Sequence, residues 1–406
     1  MSTADLLYSE AEDDLRAAVR SLLTDRCPPA AVISEAESGR AYDVALWRAL
    51  GAEMGTAGLL VPDKLGGQGA TAREAAVVME ELGRAVAPVP YLTSAVLAAA
   101  TLLGCDTDQE AVARLLGAVA EGRTVGALAV PLSTVAVVPG GGSGAPAATV
   151  RADGDSTLSG QVSGVAGAAG ADLLLVPATG ADGYGLYAVE TAETSVTVEP
   201  LTSLDLTRPL AAVTLTGAPA RRLAGPGRAE AAIGRALLTG AGLLASEQLG
   251  VAEWCLTETV RHTKERHQFG RPIGSFQALK HRMAALWLEL VSARATARYA
   301  ADALATDSPD AAVAVAVAQA HCAEVAVHAA EECVQLHGGI GMTWEHPAHL
   351  YLKRAKSDQL ALGTPGRHRQ ALAGLVDLLP PPADRLRPHR PTRRIRRTRP
   401  APRSRH

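Results

Sequence analysis

The spacing of apolar residues changes twice along this chain, and that double change most limits its fold. Up to about residue 120 they recur at helical intervals, as in Leu15, Ala18, Val19 and Leu22. From 121 to 222 they gather into short runs rich in valine and leucine: GALAVPL, ATVRA, LLLVPA, GLYAVE, TVEPL and AAVTLTG, broken by Gly, Pro, Asp and Ser. Such runs read as strands. From about 223 the helical spacing returns and persists. The order predicts a mainly α protein with a central β-domain: an N-terminal helical domain (1–120), a middle β-domain (121–222), a C-terminal helical bundle (223–380) and a tail (381–406). A chain of 406 residues is too long for one small core, so two or three packed domains are expected.

Local signals sharpen the helical parts. Ser9 with Glu12, and Thr71 with Glu74, have capping-box spacing, in which each side chain satisfies a backbone N–H at a helix start. Ser308 before Pro309 reads as an N-cap followed by proline at the first helical position. It separates ARATARYAADALA from AAVAVAVAQAHCAEVAVHAAEECVQLHG. Two antiparallel helices at this place predict a four-helix bundle. The glycine cluster of VVPGGGSGAP lacks a following helix and a Lys-Ser/Thr pair, so it reads as a hairpin loop and not a phosphate loop.

Composition narrows the partners. Aromatics are only 3% against 48% hydrophobic residues, so the core must be mostly Ala, Val and Leu. The net charge of −3 conceals ten arginines and one acid in Pro381–His406, which leaves the rest of the chain at −12. An acidic body argues against nucleic-acid binding. The basic, proline-rich tail is expected to be disordered. Cys27, Cys105, Cys255, Cys322 and Cys333 have no metal-type spacing and are expected to be reduced and buried. No secretory leader or membrane span is evident, so a cytoplasmic protein is expected.

Two segments carry chemistry. KERHQFG (264–270) offers Arg266, whose guanidinium suits phosphate oxygens, followed by a glycine that lets the backbone turn. CVQLHGGIG (333–341) places two successive glycines after a helix, where backbone can approach a ligand closely. Each alone is equally well a helix end. Together, in this order, and with LLVPDKLGGQGA and EELGRA upstream, they resemble the acyl-CoA dehydrogenase family over roughly residues 5–375. The resemblance implies that family's fold and FAD, with Arg266, Gln268, Phe269, Gln277, Gln335, Gly338, Gly339 and Thr364 as cofactor contacts. It also implies an acyl-CoA or carrier-bound acyl thioester as substrate and an electron-transfer flavoprotein or similar acceptor.

Against the same pattern the base is missing. Dehydrogenation needs a carboxylate to take the α-proton. Where the family's Glu-Gly-Thr turn belongs, this chain reads Leu362-Gly363-Thr364, and the alternative position on an earlier helix is Gly240. Glu247, two helical turns past Gly240, is the first candidate for a displaced base, ahead of Asp358 and Glu345. In the middle domain the family's flavin-flanking aromatic and hydroxyl residues align with Gly164 and Ala166. The expectation is therefore the base-lacking subunit of a heteromeric acyl-CoA dehydrogenase, forming a homo- or hetero-oligomer with a related chain. The rivals are a self-sufficient enzyme using Glu247 and a non-catalytic scaffold of the same fold.

Overall fold

The computed structural model describes residues 6–135, 146–154, 156–376 and 378. The predicted VVPGGGSGAP loop falls almost wholly outside these residues, and so does the tail.

Six α-helices come first: α1 (Glu10–Arg26), α2 (Pro29–Glu37), α3 (Val44–Trp47), α4 (Ala72–Ala85), α5 (Ala99–Leu103) and α6 (Glu110–Ala120). A π-helical run, Tyr91–Ala98, leads into α5. Both expected capping boxes form. Ser9 N–H donates to Glu12 at 2.6 Å, and Thr71 N–H donates to Glu74 at 2.8 Å.

The strands are β1 (Gly126–Leu128), β2 (Val150–Asp153), β3 (Thr157–Ala166), β4 (Leu173–Gly180), β5 (Gly183–Glu190), β6 (Val196–Pro200), β7 (Leu210–Pro219) and β8 (Arg221–Ala224). They form one sheet in the order β6-β7-β3-β2-β4-β5-β8, with β1 added beside β4. The ten-residue β3 was not among the strands expected from sequence. Its TLSGQVSGVA run is rich in Gly and Ser, and its register on β7 shifts between Val162 and Val165, around Gly164 at φ +74°. That irregularity hides the period-2 pattern.

Five helices follow: α7 (Arg228–Glu265), α8 (Gln277–Ala305), α9 (Ala311–His337), α10 (Ala348–Leu360) and α11 (Pro365–Leu375). Three are long. The fourth side of the expected bundle is shared by the short α10 and α11, both packed on α9. Helix α9 starts at Ala311 and not at Pro309. Ser308 instead accepts from Asp310 N–H at 3.2 Å within a turn, so the helix starts two residues late. Helix α9 is long and apolar enough to cross a membrane by length and composition, but most of its apolar window is buried inside the fold. Its alanines (Ala314, Ala318, Ala326, Ala329, Ala330) let it pack closely on α7 and α8. All five cysteines are free and buried.

Candidate cofactor site

The residues singled out from sequence separate into two groups at different places along α7.

The first group is at the C-terminal end of α7. Arg266 ends that helix, its N–H bonded to the His262 carbonyl at 2.8 Å. The chain then turns through a two-residue ribbon, β9 (His267–Gln268) against β10 (Arg271–Pro272). Phe269 and Gly270, at φ +55° and +72°, make the tight turn between them. Two successive left-handed residues are what a two-residue hairpin requires, and the glycine supplies the second at little cost. Phe269 is 90% exposed at the tip and meets Phe276 edge-on at 6.1 Å. Gln277 opens α8 directly after it. The Arg266 guanidinium forms no hydrogen bond or ion pair among the described residues.

Helices α7 and α9 run parallel, the Gln319 amide donating to the Ala241 carbonyl near their middles, so both C-terminal ends and the second motif come to this end. The His262 and His337 rings lie 4.2 Å apart, which sets the Gly338–Gly339 turn close to the Arg266 hairpin. Gly338 has φ +64° and ψ −140°, a conformation essentially reserved for glycine. A side chain at Gly338 or Gly339 would meet open space, and Gln335 is exposed beside them. This rim therefore presents the Arg266 guanidinium, exposed amide side chains and bare backbone. That donor set fits an anionic dinucleotide such as FAD.

The second group lies near the middle of α7. Leu362 is 1% exposed and has φ +54°. Its N–H donates to the Leu132 carbonyl at 2.7 Å, and the Leu132 N–H donates to the Gly164 carbonyl at 2.9 Å. Three segments from distant parts of the chain, 131–134, 164–166 and 362–364, thus tie into one knot. His368, pushed below its ordinary pKa by burial, is neutral and donates from Nε2 to the Leu362 carbonyl at 3.0 Å. Thr364 caps α11, its hydroxyl accepting from Arg367 N–H. A Cβ on Gly240 would lie 2.5 Å from Leu97 and 3.2 Å from Leu362, so the two leucines fill the space over that glycine. The backbone groups on this side are spent on one another.

Glu247, Asp358 and Glu345 separate too. Glu345 is exposed. Glu247 and Asp358 are buried together with groups that sequence reasoning missed, Asp205, Thr207 and Arg354, and the half-buried Arg208 joins them. Arg208 donates to both Glu247 oxygens and to Asp358, all at 2.6 Å. Arg354 binds Glu247, Asp205 at 2.6 Å and the Thr207 hydroxyl at 2.6 Å. Burial first, then the charge of Glu247, pushes Asp358 well above the usual carboxylate range. Burial also acts to raise Asp205, but Arg354 and Arg208 outweigh it and hold that carboxyl low. The network joins the loop after β6 to α7 and α10. A Thr-Arg-Pro triplet (207–209) at the foot of a strand gave no sign of this role.

Known proteins agree with one another on the relationship. Residues 9–123 match the model of the acyl-CoA dehydrogenase N-terminal domain, and residues 230–375 match that of the C-terminal domain. The acyl-CoA dehydrogenase IpdE2 of Mycobacterium tuberculosis is 37% identical over 352 residues, covering 86% of this chain and 92% of its own. The ChsE4–ChsE5 complex of the same organism contains a chain with TM-score 0.80 and 28% identity, covering 93% of this chain and all of that one. The Tcur3481–Tcur3483 steroid ACAD gives TM-score 0.79 at 31% identity, covering 91% of this chain and 98% of that one.

Proposed function

Since the chain belongs to the acyl-CoA dehydrogenase family, oxidoreductases acting on CH–CH groups, we propose that it is the base-lacking subunit of a heteromeric member. On this reading it completes a flavin site shared with a catalytic partner chain. Arg266, Gln268, Phe269, Gln277, Gln335, Gly338 and Gly339 hold the cofactor from the rim at the end of α7, and Thr364 belongs to the knot side. When bound, FAD supplies the hydride acceptor. The partner supplies the carboxylate that takes the α-proton. Reoxidation falls to an electron-transfer flavoprotein or similar acceptor. Two solved neighbours, ChsE4–ChsE5 and Tcur3481–Tcur3483, are themselves complexes of two named components, which supports the heteromer. The second is a steroid ACAD, so a steroid-type acyl thioester is the first substrate to test.

The carrying observation is Leu362. Its position holds no carboxylate, and the space in front of Gly240 is filled by Leu362 and Leu97. A substrate α-carbon has no room there. Glu247 supplies no ready substitute, because both its oxygens are engaged by arginines. The test is dye-coupled dehydrogenation by the chain alone and by the chain co-purified with a related dehydrogenase subunit. The expected result is little or no turnover alone, since a positioned base contributes about 10²–10⁴-fold, and turnover in the complex. Ordinary turnover by the isolated chain, abolished in Glu247→Gln with flavin retained, would replace this reading with a displaced base. Absence of flavin from both preparations would leave only a scaffold.

A further inference from the structure

Below the Gly338–Gly339 turn, three side chains from three separate segments point at one spot. Glu258 comes from α7. His337 is the last residue of α9. His346 precedes α10 by two residues. Glu258 Oε1 is 3.8 Å from His337 Nε2 and 3.5 Å from His346 Nε2, and the three atoms lie within 4.8 Å of one another. His337 is 5% exposed. Its Nδ1–H donates to the Cys333 carbonyl at 2.7 Å, which fixes the proton on that nitrogen and leaves the Nε2 lone pair toward the cluster. That Nε2 has no hydrogen-bond partner among the described residues. A buried imidazole oriented by a backbone carbonyl, with its other nitrogen bare, is how proteins prepare a histidine for a metal.

We infer that Glu258, His337 and His346 form a binding site for a divalent cation of the zinc type. Two imidazole nitrogens and a carboxylate oxygen suit Zn²⁺ and Co²⁺, while Mg²⁺ and Ca²⁺ prefer all-oxygen sets. Tetrahedral bonds of about 2.0–2.1 Å put ligand atoms roughly 3.4 Å apart. The observed 3.5 and 3.8 Å are close to that, and all three atoms lie within 4.8 Å of one another, so the ligands must draw together by up to about 1.4 Å on binding.

Two present contacts oppose the ion and set its affinity. Arg261 holds Glu258 bidentately, with Nε at 2.9 Å from Oε2 and Nη2 on Oε1, the oxygen that would face the ion. It also has Glu265 at 2.6 Å, so it can withdraw without being left unpaired. Ala348 N–H donates to His346 Nδ1 at 3.2 Å. Metal binding at Nε2 moves the ring proton to Nδ1 and breaks that long bond. The site should therefore bind moderately, and weakening the Arg261 contact should tighten it. Once bound, the ion would tie α7 to the turn that carries Gly338 and Gly339. Only this last consequence rests on the flavin reading, and the site itself does not.

The experiment is titration of the purified full chain, free of flavin, with Co²⁺ followed by its visible d–d bands, then displacement by Zn²⁺. One equivalent should bind, with no displacement by Mg²⁺. Glu258→Gln and His346→Gln should each weaken binding by roughly tenfold or more. These partly exposed residues are preferred to His337, whose replacement could disturb the helix end. Arg261→Gln should strengthen it. Three results would overturn the site: no binding up to about 1 mM Co²⁺, binding unchanged in Glu258→Gln and His346→Gln, or a strong sulfur-to-cobalt charge-transfer band. The last would assign the ion to thiols such as Cys333, whose Sγ is 3.6 Å from His337 Nδ1. Flavin content measured separately distinguishes failure here from failure of the cofactor reading.

Discussion

The rim at the end of α7 and the knot around Leu362 lie along the same helix, yet they are opposites. At the rim, groups are exposed: the Arg266 guanidinium has no hydrogen-bond or ion-pair partner among the described residues, Phe269 is 90% exposed, and two glycines face open space. At the knot, the Leu132 and Leu362 backbone groups are satisfied internally and leucines close the space beside Gly240. An exposed rim, hydrated by water, keeps its donors available to a ligand. A closed knot has nothing left to offer a ligand. The difference teaches that this chain is arranged to contribute to a site more than to contain one.

The largest effect that would break this contrast concerns the network beside the knot. Glu247→Ala leaves Arg208 and Arg354 buried with less compensation, and breaking such a pair typically costs about 3–5 kcal/mol. Urea unfolding should register that loss. If Glu247→Ala left stability intact and abolished turnover of the complex, the carboxylate would be a base and the knot an active site.

At the rim the signature is reversed. Arg266→Ala should lower flavin affinity of the assembled complex by about tenfold to a hundredfold, the range for losing a charge-assisted contact of about 1.5–3 kcal/mol. Stability should move by no more than about 0.5 kcal/mol, as for most surface changes. Arg114→Ala, at an exposed position of α6, is the control for flavin content. Equal retention in both variants would make Arg266 a solvated helix-end charge.

Leu362 sharpens the knot. Removing a buried leucine side chain costs about 2–5 kcal/mol. Its left-handed backbone carries about 1–2 kcal/mol that glycine does not pay. Leu362→Gly should therefore unfold at a higher urea concentration than Leu97→Ala. The reverse order would mean that the turn is unstrained.

The smallest effect is a pH dependence. Asp205, Glu247 and Asp358 face Arg208 and Arg354, Thr207 also donates to Asp205, and among the described residues one Asp358 oxygen has no hydrogen-bond partner. Asp358 holds its proton in the folded chain to a higher pH than the roughly 3.9 of an unfolded aspartate. Its contribution to stability is then complete below about pH 4 and fades as pH rises through the folded pKa. Asp358→Asn should flatten the fall in stability over that interval, read by thermal melts across pH. An unchanged slope would place the titration on another group.

The helices were legible because Ser9–Glu12 and Thr71–Glu74 act within four residues, as do the alanines that let α9 pack closely. The rim was legible for a similar reason: hairpin and glycine turn are contiguous in sequence. The knot was half legible. The absence of a carboxylate at 362 could be read, but the closure of the space by Leu97 depends on a helix more than 260 residues away. The buried network was legible only in part: Glu247 and Asp358 stood out, but their partners did not. Asp205, Arg208, Glu247, Arg354 and Asp358 come from three elements, and a charged residue in a helix pattern ordinarily reads as solvated. Likewise β3 went unseen, since its pairing with β7 tolerates a bulge that disrupts the alternation.

Helix α7 also acts as a ruler. It runs unbroken from Arg228 to Glu265, and Gly240 and Arg266 are separated along it by 26 residues, or about 39 Å at 1.5 Å per residue. The length of one continuous helix therefore fixes how far the rim lies from the Leu362 knot of the same polypeptide. On the proposed reading, the flavin gripped at this rim presents its ring to another chain.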